Sequence, residues 1–262
     1  MSNNLRPDAP SDPKAPPPKT GATGPKGSGS GPVSPGTTKL PPLFRNIDWI
    51  TFGITTLLTF IGYWLTLAPQ VTLEDSGELA VASMYAGVPH PPGYPVWTIY
   101  TWLFTVLFPV SNIAYRVGMS SAVAGALGCG IVGMLVSRGS SMIIEGIAEL
   151  KTIQRSLENV LCIVAGFVAG MLLGFNGFMW SQAVIVEVYT LSVLSLAGVL
   201  VCLLRWIYAP HQRHYLYLAF FWFGICFNNH QSLLVVAKVK VDRKSTRLNS
   251  SHVALSRMPS SA

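Results

Sequence analysis

VWTIYTWLFTVLFPV, residues Val96 to Val110, is the stretch on which the fold turns. It holds no charged residue, yet it is short. At 1.5 Å per residue a helix over it reaches about 22 Å, less than the roughly 30 Å hydrocarbon core of a bilayer. If it crosses fully, every later segment takes one orientation. If it dips in or lies along the interface, every later segment takes the other.

The flanking sequence weighs these alternatives. Lys14, Lys19, Lys26, Lys39 and Arg45 precede the first apolar run and place the N-terminus on the cytoplasmic side. A full crossing by 96–110 would leave Arg138, Lys151, Arg155, Arg205 and Arg213 outside and only Arg116 inside. An incomplete crossing reverses that count, which the positive-inside bias favours. The loop 70–95, the stretch WSQAVIVEVYT (180–190) and the triplet NNH (228–230) then share the outer face.

Apolar runs of spanning length lie on both sides of this stretch. No charge occurs from Trp49 to Leu73, and WITFGITTLLTFIGYWLTLAP (49–69) reads as a first span with Trp49 and Trp64 as interfacial aromatics. Segments 117–137, 159–179, 188–204 and 215–237 read as further spans. With five to six apolar segments and no strand pattern, the expected fold is an all-α polytopic membrane protein. Between two spans, residues 138–158 place Ile143, Ile147, Leu150, Ile153 and Leu157 at helical spacing. This predicts an amphipathic connection on the membrane surface.

Composition agrees. Half of the 262 residues are apolar and 11% are charged, against about 25% charged in soluble domains; mean hydropathy is +0.44. The net charge of +7 sits in the tails. Residues 49–237 carry six basic and seven acidic side chains, so no folded element bears the basic stripe that nucleic-acid binding requires. Cys129, Cys162, Cys202 and Cys226 all lie in apolar segments and suggest neither disulfides nor a metal site.

The tails read differently from the middle. Residues 1–46 form a Pro/Gly-rich segment expected to be a disordered cytoplasmic tail. Residues 238–262 are basic and lack hydrophobic period. The run DRKSTRLNSSHVALSRMPSSA resembles translated library-adapter DNA, so the natural chain is expected to continue beyond about Val241.

Chemistry concentrates in LEDSGELAVASMYAGVPHPPGYP, residues 73–95. Asp75 and Glu78 fit an N-cap and an N3 acid, a capping-box variant, with Gly87 as the helix stop. A carboxylate fixed in this way beside a membrane is also placed to take a proton from a hydroxyl. Glu74 precedes the pair, and His90 and Tyr94 sit on a strap stiffened by Pro89, Pro91, Pro92 and Pro95. Glu187 enters a span, either as a functional acid or as a helix-start acid favoured by the dipole. Asn229 and His230 end an apolar run, where they either bond neighbouring helices or line a polar site. There is no phosphate-binding glycine loop, nucleophile elbow or metal-ligand cluster.

Three blocks together carry a resemblance: TLEDSGELAVASMYAGVPHPPGYPVWTIYTWLF, WSQAVIVEVYTLSVL and FGICFNNHQSLLVV. In this order they resemble the multi-pass family of transmembrane protein 260, protein O-mannosyltransferases of GT-C-like layout with bacterial relatives. The likeness covers about 47–237 and implies a GT-C-like helix bundle, here its N-terminal part. It implies a polyprenyl-phosphate sugar such as mannose as donor, with no other cofactor called for. A hydroxyl on a protein or glycan would be the acceptor, on the extracytoplasmic side of a bacterial inner membrane, or of the endoplasmic reticulum in a eukaryote. It further implies Asp75 as general base, Glu78 as its orienter or a sugar ligand, and Glu74, His90, Tyr94, Glu187, Tyr189, Asn229 and His230 as lining residues. No basic residue outside the loops stands out as a lipid-phosphate ligand. A transporter or flippase is the alternative that Glu187 and His230 suggest, although no internal repeat supports it. A truncated, inactive membrane fragment is the other.

Overall fold

The structure, a computed structural model, describes residues 42–72, 75–109 and 112–229. The expectations for the two tails, for Glu74 and His230, and for the Asn229 side chain lie outside the described residues. Among the described residues the chain is all-helical. Eight α-helices follow one another: α1 (Asn46–Leu65), α2 (Ser76–Met84), α3 (Pro95–Leu107), α4 (Ile113–Gly146), α5 (Arg155–Gly174), α6 (Gly177–Ala183), α7 (Tyr189–Tyr208) and α8 (His214–Asn229).

Helix α4 is the hub and packs against α1, α2, α3, α5, α6 and α7. Its sequence explains this. Ala122, Ala124, Gly125, Ala126, Gly128, Gly130 and Gly133 leave little side chain between backbones. Gly133 lies against Gly166 of α5, and Gly170 and Gly174 of α5 meet Cys129 of α4. In lipid, where apolar burial drives no association, such close approach supplies the packing contacts.

Helices α4, α5 and α7 are long and apolar enough to cross a membrane, so the protein is an integral, multi-pass membrane protein. Helix α1, read from the sequence as the first span, is not among the three although it is 20 residues long. Its inner stripe is polar: Asp48, Thr51, Thr55, Thr59 and Tyr63 are buried, while Ile50, Ile54, Leu57, Leu58 and Leu65 face out. Threonines are at home in that stripe because each can bond back to its own helix, as Thr59 does to the Thr55 carbonyl at 2.7 Å.

Helix α3 is a short apolar helix of 13 residues. Its polar bonds run to the Glu187 carbonyl and to the first turns of α4. The Trp97 Nε1–H and the Ser121 hydroxyl donate to one carbonyl, that of Glu187, at 3.1 and 3.2 Å. Further along α3, the Tyr100 hydroxyl donates to the Ser120 carbonyl at 2.9 Å. Near its end, the Arg116 guanidinium donates to the Thr105 carbonyl at 3.1 Å. The stretch of α4 involved, 116–121, is about 7.5 Å long.

Residues 138–158 depart from the predicted surface helix. Helix α4 continues unbroken to Gly146, and only a 3₁₀ turn, Ala148–Thr152, precedes α5. The reason is a polar network that draws the segment inward. Buried Arg138 donates to Ser141 at 3.2 Å, and Ser141 donates to Glu145 and Glu158, both at 3.1 Å. Arg45 donates to Glu158 at 2.8 Å, its backbone N–H donates to Asp48 at 2.8 Å, and Ser137 donates to Asp48 at 2.6 Å. Burial works against the charge on the Arg45 guanidinium, but its bonds to Cys162 and Glu158 and the charge of Asp48 hold its pKa above the usual value.

Candidate active site

Helix α2 begins where the sequence predicts, at Ser76, with Asp75 in the N-cap position. The capping box does not form. The Asp75 side chain makes no cap hydrogen bond and Glu78 turns away from it. Glu78 instead receives the His90 backbone N–H on Oε1 at 2.6 Å and faces the His90 Nδ1 with Oε2 at 3.2 Å. The other ring nitrogen, Nε2, lies 3.8 Å from Asp75 Oδ2. His90 therefore stands between the two carboxylates, and all three remain partly open to solvent.

The helix stop is also displaced by one residue. Ala86, not Gly87, takes the left-handed conformation with φ 49°, and the Gly87 N–H returns to the Ala82 carbonyl at 2.8 Å. This is a Schellman closure. It sends the chain into the strap, where Gly93 has φ 88° and its N–H closes a turn on the His90 carbonyl at 2.9 Å. The Pro91–Pro92 peptide is cis. Tyr94 follows as the N-cap of α3, buried, with its ring set edge-to-face against His90 at 5.7 Å.

The connection 184–188 anchors these pieces from the far side of the sequence. Ala68 N–H donates to the Val184 carbonyl at 2.9 Å, and Ser76 Oγ–H to the Val186 carbonyl at 3.3 Å. Trp97 and Ser121 share the Glu187 carbonyl. The Glu187 side chain is buried and accepts the Val188 N–H at 3.2 Å at the start of α7, the helix-start role the sequence allowed it. Tyr189 is partly exposed and packs its ring on Phe178 at 5.9 Å.

Electrostatics draw the group together. Burial raises the Tyr94 pKa above its usual value, and the charges of Tyr189, Glu187, Asp75 and Glu78 push it the same way. Of the sequence candidates, the structure thus gathers Asp75, Glu78, His90, Tyr94, Glu187 and Tyr189 at one end of the bundle. Sequence reasoning missed Ser76, Trp97 and Ser121. Trp97 stood inside the apolar run as one aromatic among several, and the serines bond backbone carbonyls, a role that leaves no pattern. On its other side α2 turns Gly77, Ala80, Val81 and Met84 to a mostly apolar groove of about 510 Å³ that Ile113 and Ala114 complete. No set of three or more His, Cys, Asp or Glu side chains suited to a metal ion occurs among the described residues.

Residues 75–241 match the family described as the Protein O-mannosyl-transferase TMEM260 N-terminal domain. Protein O-mannosyl-transferase TMEM260 of Mus musculus is 30% identical over 132 residues, which is 50% of this chain and 16% of the mouse protein. Protein O-mannosyl-transferase tmem260 of Dictyostelium discoideum is 34% identical over 67 residues, 25% of this chain and 8% of that protein. No solved structure matches.

Proposed function

Because the chain belongs to the family of the Protein O-mannosyl-transferase TMEM260 N-terminal domain, we propose that it forms the base-bearing part of a membrane glycosyltransferase of GT-C type. The donor is a sugar, mannose by the names of its relatives, on a polyprenyl phosphate. The acceptor is a hydroxyl on a protein or glycan. The observation that carries this reading is the convergence of two distant stretches, 75–97 and 184–189, joined by the bonds of Ser76 and Trp97 to the Val186 and Glu187 carbonyls, beside the partly open group of Asp75, Glu78 and His90.

Asp75 is the general base. Its carboxylate has no cap bond to give up and is largely exposed, so an acceptor hydroxyl can reach it. As the acceptor oxygen attacks the anomeric carbon, its proton passes to Asp75. The bond from that carbon to the phosphate oxygen breaks on the opposite side, the electron pair stays on the phosphate, and configuration inverts. The apolar groove beside α2 gives a polyprenyl chain a place near the reacting end. In this reading the end of the bundle that bears Asp75 faces the extracytoplasmic side, as the positive-inside bias of the sequence favours, of the inner membrane in a bacterial cell or of the endoplasmic reticulum in a eukaryotic one.

The test is sugar transfer from polyprenyl-phosphate mannose to a hydroxyl acceptor, in membranes carrying the complete reading frame that encodes this chain. Asp75→Asn keeps size and removes basicity, and transfer is expected to fall by about 10²–10⁴-fold. Undiminished transfer would remove Asp75 as base. Donor flux across liposomes without transfer would favour the transporter reading instead.

A further inference from the structure

We propose that Glu78 and His90 form a relay that takes the proton from Asp75 and returns it to solvent; this rests on the reading of Asp75 as base. The backbone N–H of His90 already ties the strap to Glu78 Oε1 at 2.6 Å. The second bond, from ring Nδ1 to Oε2 at 3.2 Å, is not needed for that tie. Its effect is to fix the ring. An ionised carboxylate only accepts, so Nδ1 carries the hydrogen and Nε2 is left as the basic nitrogen. Nε2 is the atom that faces Asp75 Oδ2.

The separation of 3.8 Å exceeds a direct hydrogen bond; the exposed Asp75 side chain, which no cap bond holds, closes it by a small rotation. The ring cannot easily swing out of line, because Tyr94 packs edge-on against it and the Gly93–His90 turn holds its backbone. The groups facing His90 are Asp75 and Glu78 from α2 and Tyr94 from the strap. Glu187 and Tyr189, from the connection 184–188 and α7, bear on Tyr94.

The chemistry balances. Transfer leaves Asp75 as a neutral acid, because the acceptor's O–H bond has broken and its proton is on the carboxylate. Nothing can be deprotonated in the next cycle until that proton leaves. Passing it to Nε2 restores the Asp75 carboxylate and makes an imidazolium that lies between two carboxylates. Water at the exposed edge of His90 then removes the proton. His90 acts through Asp75 and is a positioning and relay residue; the orienting role belongs to Glu78.

Two measurements test this. The first needs no transfer: ¹⁵N shifts of the five histidines in the labelled chain, with His90 assigned by loss of its signal in His90→Gln. The neutral ring is expected as the Nδ1–H tautomer, and Glu78→Gln is expected to abolish that preference. An Nε2–H tautomer overturns the relay alone. The second is the pH profile of transfer in the complete reading frame. Wild type is expected to show a limb that rises with pH, because only the neutral ring can accept the proton. His90→Gln keeps an amide near Glu78 but cannot take up a proton. It is expected to lose that limb and about 10²-fold in kcat, with KM for the acceptor unchanged. Added imidazole is expected to restore transfer to His90→Ala. Full activity in His90→Gln, or no rescue by imidazole, overturns the relay while leaving Asp75 as base. A wild type without transfer overturns both.

Discussion

Tyr94 is the residue on which most of the site's constraints meet. Its φ of 40° puts a bulky side chain in the left-handed region, a conformation that costs about 1–2 kcal/mol. Surrounding structure must hold it there, and burial of the ring together with its contact to His90 does so. The raised pKa has a stability consequence of definite sign. The folded state keeps the phenol proton longer than the unfolded chain does. Stability is therefore unaffected below about pH 10 and is lost as pH rises from there through the folded value. Thermal unfolding of wild type against Tyr94→Phe in detergent should show a constant difference up to about pH 10. Above it the wild type should lose ground, and a pH-independent difference would sink the assignment. At this scale the sequence showed the side chains but not their partners. Asp75 and Glu78 stand at capping-box spacing, but Glu78 bonds His90, twelve residues away. That pairing depends on the Schellman closure at Ala86 and on the turn at Gly93, and neither is visible in a hydrophobic period.

Helices were easier to read than their neighbours. Long apolar runs announced α4, α5 and α7 because spanning length is set by bilayer thickness, and shortness alone marked α3. The sequence hid which face of each helix turns inward. In α1 the buried face is the polar one, the reverse of a soluble helix. In α4, Arg138 and Ser141 of the supposed surface segment are buried. The close approach of α4 and α5 gives a sharp test. A Cβ at Gly166 would meet the Gly133 carbonyl oxygen, and also Ser137 Cβ and Thr51 Cγ2, both at 2.9 Å. Backbone cannot step aside as a side-chain end can. Gly166→Ala should lower stability by about 1–3 kcal/mol, read as a fall in Tm in detergent. Gly53→Ala, on a face with nothing within 4 Å, should be neutral or stabilising by up to about 1 kcal/mol. Equal effects at the two sites would show that the interhelical contact does not control packing.

Across the whole molecule, polar chemistry is divided between two ends with different purposes. One end keeps its carboxylates partly open around His90. The other closes them in a network of Arg45, Asp48, Ser137, Arg138, Ser141, Glu145 and Glu158 that joins α1, α4 and α5. Asp48 is fully buried and Glu145 is 57% exposed. Asp48→Ala leaves Arg45 and Ser137 without that acceptor and should cost about 3–5 kcal/mol. Glu145→Gln should cost no more than about 1 kcal/mol. Thermal melts of the two variants decide, and comparable losses would contradict a closed network. The sequence showed the sum of charges in this region but not the network, since its members are drawn from residues 45 to 158.

The connection 184–188 has a consequence for biogenesis. Ala68, Ser76, Trp97 and Ser121 each send a hydrogen bond to it, and all four leave the ribosome before it does. Helices α1, α4 and α5 can insert and pair while α2 and α3 still lack the bonds that Ser76 and Trp97 make to it. The reactive end of the bundle is thus completed by a late-synthesised segment of the chain, so a nascent protein passes through a stage with its scaffold inserted and its chemistry not yet assembled.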